Sequence, residues 1–243
     1  ILNKRFSNGW SWYTAYTYGV AKDLSSIYQG IVVATSVENW DYDYGYAAYD
    51  HRHRVVGGFV YEIPWFQNSE SWFLKNVIGG WQIAGSFHFT SGRRFNVAAA
   101  SGPAFDYNLD GQWGMDRPLW LGSDNYNEAI KWEAGRPTLD PSYFGTPNPP
   151  AYERDMSYYD QKLLPRNAFT WYPTYNLDIS LQKNFRIPAG ARDYNLQLIL
   201  DVFNVFKNQF WVLPVTTYGL ASFGDVTRKV GDRLAQISIR FMF

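Results

Sequence analysis

The stretch Asp106-Tyr-Asn108-Leu-Asp110-Gly111, with Asp116 a little further on, puts oxygen-bearing side chains at alternate positions and then a glycine. That order suits a hard cation such as calcium, because the glycine permits a sharp turn while alternate side chains and a carbonyl supply oxygens. The place where an EF-hand carries its closing glutamate is Arg117, and Asp116 falls one position early. No helical period flanks the stretch. Calcium bound by Asp106, Asn108, Asp110 and Asp116 is therefore one reading, and an Asn/Asp/Gly turn with solvated carboxylates is the other.

A second group of candidates is aromatic. Trp113, Trp120, Tyr126 and Trp132 follow the Asp/Asn stretch, and Trp40, Tyr42, Tyr44 and Tyr46 cluster earlier. Rings beside Asp and Asn suit stacking on a sugar or clamping a peptide, with Trp40 and Tyr44 joining Trp113, Trp120, Tyr126 and Trp132 as ligand-binding candidates. The alternative is that these rings pack long loops against one another, since ordered loops need cores of their own.

Other chemistry is thin. His51 and His53 share a strand face, but no third metal ligand accompanies them, and Asp50, Arg52 and Arg54 read as charges that pair with neighbours. No Ser-His-Asp or paired-carboxylate set can be assembled, so no enzyme is expected. The absence of cysteine removes disulfides, thiolate catalysis and Cys-based zinc. A net charge of zero gives no nucleic-acid footprint.

The elements that must carry these loops alternate with period two. At the C-terminus Ala235, Ile237, Ile239, Phe241 and Phe243 share one face, against Gln236, Ser238, Arg240 and Met242. The same pattern appears at Trp10 to Val20, Asp50 to Pro64, Trp81 to Thr90, Tyr175 to Phe185 and Asn195 to Phe206, with a shorter run at Leu2 to Phe6. Ser7-Asn-Gly9 and Pro188 to Asp193 read as turns.

The chain holds 11 Trp and 19 Tyr, yet its mean hydropathy is negative. Such a balance fits a protein meeting lipid on one side and water on the other. No window approaches the ~20 apolar residues of a membrane helix, so a spanning structure must be a barrel. Connections alternate between short and long, as in an up-and-down barrel with short periplasmic turns and long extracellular loops.

Several segments, in order, resemble the late barrel of TonB-dependent outer-membrane receptors, in the Oar-like branch that often carries a carboxypeptidase-regulatory-like domain. They are Lys4-Arg-Phe-Ser-Asn-Gly-Trp10 with Ala15-Tyr-Thr-Tyr18, Asp50-His-Arg-His-Arg54 with Tyr61-Glu-Ile-Pro64, and Gly80-Trp-Gln-Ile-Ala-Gly85 with Thr90-Ser-Gly92. Asn176 to Lys183, Asp201-Val-Phe-Asn-Val-Phe206 and Arg233 to Phe243 complete the series.

The resemblance implies an all-β, antiparallel up-and-down transmembrane β-barrel segment in the bacterial outer membrane, with residues 1–243 forming about the last seven strands of a barrel of about 22. It also implies a plug domain and signal peptide outside this sequence, and TonB coupling through that plug. Further partners would be outer-membrane lipid, other strands or chains completing the wall, and the barrel-assembly machinery, which would read Phe241 and Phe243. A barrel that only anchors an adhesive surface and a soluble β-sandwich binding module are the alternatives. The sandwich requires the faces of Trp81, Phe87 and Leu198 to meet a second sheet.

Overall fold

The computed structural model describes residues 1–26, 34–36, 39–111, 116–148, 156–189 and 192–242. Seven strands form one antiparallel sheet in chain order: β1 Leu2–Ser7, β2 Trp10–Tyr18, β3 His53–Glu62, β4 Trp81–Thr90, β5 Thr174–Ala189, β6 Arg192–Phe203 and β7 Leu234–Met242. Each strand pairs with its neighbours in the chain, and among the described residues β1 and β7 are the edges of an open sheet. No helix among the described residues is long and apolar enough to cross a membrane.

Register aligns the two faces across the whole sheet. Trp12 stands opposite Phe59, Phe59 opposite Gly85, Gly85 opposite Ile179, Ile179 opposite Val202, and Val202 opposite Ala235. One position along, Ser11, Val60, Ala84, Ser180, Asp201 and Gln236 form the matching row on the other face. A slip of one residue in any strand would exchange the faces, so the alternation along each strand specifies this register. The apolar row needs close packing where it holds glycine. A Cβ at Gly85 would meet Phe59 Cε1 at 2.6 Å, and one at Gly57 would run into the Phe87 ring. Each aromatic thus lies over the glycine opposite it in the next strand.

The buried apolar clusters contain no residue of these seven strands. Leu198 and Leu200 on β6, a strand paired on both sides, remain 37 % exposed, and Ile239 on the edge strand is 70 % exposed. Among the described residues no second sheet covers them. On the polar face Asn3, Arg5, Ser11, Asp178 and Asp201 border a trough of about 640 Å³.

One expected turn is present and one is not. Asn8 and Gly9 turn β1 into β2 with positive φ at both positions, as a two-residue hairpin requires. The expected turn at Pro188 to Asp193 is instead mostly strand, with Pro188 opposite Asp193 and Ala189 opposite Arg192. Pairing of β5 with β4 ends at Lys183, so this part of β5 has a neighbour on one side alone, where proline is tolerated.

Candidate functional site

Residues 19–52, 91–173 and 204–233 connect strands at one end of the sheet, while 8–9, 63–80 and 190–191 connect them at the other. The three long loops fold into one cap with its own core. Phe95, Trp120, Phe144, Leu164 and Phe169 from the second loop enclose one another together with Val226 from the third. Short strands bind the loops by their backbones: Ala98–Ala99 pairs in parallel with Thr217–Tyr218, and Arg94–Phe95 pairs with Phe169–Thr170. The Trp171 indole donates to the Trp211 carbonyl at 2.8 Å.

Ion pairs fasten the first loop to this body. Arg166 pairs with Asp23 and donates to the Asp43 carbonyl at 2.8 Å. Arg117 reaches the Asp43 carboxylate at 3.5 Å and the Thr35 hydroxyl at 3.3 Å. Asp50 accepts from the Ala21 N–H at 2.8 Å, from Arg52 at 3.2 Å and from Arg94 at 3.4 Å. The Arg94 and Arg52 guanidiniums also lie over the Tyr46 ring, at 3.9 and 4.9 Å from its centre.

The Asp/Asn stretch is held as a turn. Asp106 accepts the N–H groups of Asp110 and Gly111, at 3.1 and 3.0 Å, and Asn108 Oδ1 accepts that of Asp110 at 3.2 Å. Asp116 accepts the Tyr107 N–H. Burial and the charges of Asp110 and Asp106 push the Asp116 carboxyl up to about 7. Among the described residues no group of three or more carboxylate or imidazole side chains is disposed to hold a metal ion.

The aromatic candidates divide by burial. Trp120 is 1 % exposed and touches Tyr126, Tyr143, Phe144 and Phe169 with ring centres 5.2–5.8 Å away. Enclosed in this way, its indole offers no face to a ligand, which corrects its reading as a binding residue. Tyr126 packs on it and is half-buried. Trp40, Tyr44 and Trp132 are exposed, and none stacks on another. Trp113 and Phe243 lie outside the described residues. Phe241 is on β7 opposite Leu196, its ring stacked on Tyr194 at 5.7 Å. The two histidines diverge: His51 bonds the Ser91 carbonyl at 2.8 Å and His53 the Tyr16 hydroxyl at 2.9 Å.

Sequence reading missed the arginines. Arg93, Arg94, Arg117 and Arg166 border one cavity of about 320 Å³ between the three loops. Their spacing along the chain gives no periodic or motif-like signal, and only the folding of the second loop back on itself, with Arg94–Phe95 paired to Phe169–Thr170, brings them together.

Compared with known proteins, residues 1–238 match the family model described as Outer membrane beta barrel domain. No match was found among curated proteins or among solved structures. The match spans nearly the whole chain, as do the antiparallel strands with their uncovered apolar face. The chain belongs to the outer membrane beta barrel domain family and resides in the bacterial outer membrane.

Proposed function

We propose that this chain supplies part of the wall and the ligand-capturing extracellular loops of a TonB-dependent receptor. The observation that carries the reading is the cap: the second and third long loops fold around a shared core, and ion pairs fasten the first loop to them, beside a strand face lined with polar groups. A preformed body at the mouth of an aqueous passage suits selection of cargo better than simple anchoring. The ordered resemblance of the strand segments to the late barrel of such receptors supports the same reading.

The open edges bear on the rest of the wall. Unpaired N–H and C=O groups of β1 and β7 would face hydrocarbon, at several kcal/mol for each group left unsatisfied. Further strands, from the same longer protein or from other chains, close the barrel in this reading. A plug outside this sequence performs the energy-coupled step, and this segment contributes wall and capture.

The test is whole-cell uptake of labelled peptides and oligosaccharides by parent cells, cells lacking the gene, and cells lacking the TonB coupling system. The receptor reading expects both deletions to abolish accumulation of the same species. A species that is held at the surface by this protein without coupling would identify an adhesive anchor instead.

A further inference from the structure

The cavity between the three loops carries an excess of positive charge. Arg93, Arg94, Arg117 and Arg166 line it, and among the described residues Asp43 is the one carboxylate in its wall. Asp23 reaches Arg166 from outside, and Asp50 is shared by Arg94 and Arg52. Among the described residues five guanidiniums thus meet three carboxylates. Asp116, next to Arg117, is held by burial and its acidic neighbours partly in its protonated form near neutral pH.

Arg93 is the odd member. It is exposed, and among the described residues it has no acidic partner. Arg117 is 4 % exposed, and its only ion pair among the described residues is the long contact with Asp43. Burial and the nearby charge of Arg166 both disfavour its cation. Asn96 Oδ1 accepts the Asn167 N–H at 3.3 Å, and Asn96 borders the same space.

A second cavity, of about 610 Å³, adjoins the first and shares Arg93 and Leu213 with it. Trp171, Tyr172, Phe210 and Trp211 line this neighbour. Arg93 therefore stands between a cationic compartment and an aromatic one. Guanidiniums form charge-assisted, often bidentate bonds with carboxylate and phosphate, and aromatic walls hold a flat apolar body.

We propose that the arginine cavity takes the carboxylate or phosphate of a small anionic molecule whose apolar ring lies in the adjoining aromatic pocket. This deepens the reading of the cap as a capture surface, and it rests on that reading only for the transport of the molecule once bound.

The test is calorimetric titration of the full-length protein in detergent with benzoate, phenyl phosphate and the uncharged benzyl alcohol. At least one anion should bind at least about tenfold more tightly than the alcohol, the better of the two identifying the head group. Arg93→Gln should weaken that anion about tenfold or more, Arg93→Lys should recover part of the loss, and Asn96→Asp should weaken it by adding a negative charge. Equal affinity for all three probes, or unchanged anion binding in Arg93→Gln, would overturn the proposal. The binding assay requires no energy coupling. Anion binding without coupled uptake would leave this site standing and remove the receptor reading. Coupled uptake with no anion preference would do the reverse.

Discussion

Arg94 Nε stands 3.4 Å from Asp50 Oδ2, joining the beginning of the second long loop to a residue near the end of the first. The Asp50 side chain is almost wholly enclosed, and it also holds the Ala21 N–H and Arg52. This carboxylate therefore fixes the angle at which both loops leave the sheet, and Tyr46 sits under the two guanidiniums that it anchors.

Removing that anchor should loosen the cap without unmaking the wall. Asp50→Ala leaves two guanidiniums and a backbone N–H without their acceptor, a loss of about 3–5 kcal/mol where a buried pair is broken. Limited proteolysis of the folded protein should show faster cleavage in residues 19–52 and 91–173, with the strands still protected.

The Asp116 carboxyl makes cap stability depend on pH. Its folded value, about 7, lies above the ordinary 3.8, so the folded cap holds a proton that the unfolded chain has released. Stability from this group is therefore greatest below about 4, falls as pH rises towards 7, and stays at its low level above that. Protease protection of the cap should decrease between pH 5 and pH 8, and Asp116→Asn should flatten that slope while keeping an acceptor for the Tyr107 N–H.

Burial separates two tryptophans of the same loop. Trp120→Ala empties the centre of the cap core and should cost about 3–5 kcal/mol. Trp132→Ala, at an exposed ring, should stay within about 0.5 kcal/mol. Thermal melts monitored by the fluorescence of the remaining tryptophans would measure both.

The strands were legible in the sequence because their requirement is local. A single period of two states which side chains share a face, and the pairing of Ser180 with Ala84 and Asp201 agrees with it. The length of β5 was misjudged at Pro188, where proline reads as a breaker although a strand with one neighbour accepts it. The cap was legible only as long loops rich in aromatics. Whether an indole is core, as at Trp120, or surface, as at Trp132, depends on contacts between loops far apart in the chain, and no spacing encodes that. The same holds for Arg93 and Arg166, which meet around one cavity because their loop begins and ends at neighbouring strands.

The aromatic rows over glycine make a further demand on the wall. Gly57→Val would force the Phe87 ring from its place on the apolar face, and Gly85→Val would do the same to Phe59. Overpacking of this kind costs about 1–3 kcal/mol. Both variants should reach the outer membrane in reduced amounts, measured by quantitative blotting of membrane fractions, while Gly19→Val, with open space around its position, should not.

Contact between the apolar face of the sheet and lipid is the central claim. Residues 1–243 contain no cysteine, so single cysteines introduced along adjacent rows are the sole thiols of this segment, and they can be probed with the protein in its membrane. With L181C, L200C and I237C on one face and S180C, D201C and Q236C on the other, labelling should alternate strictly. The first set should resist a charged water-soluble thiol reagent and carry a fluorophore quenched by brominated lipid; the second should react with the charged reagent and escape that quenching. Equal labelling of both sets, or quenching of the polar row, would contradict the claim.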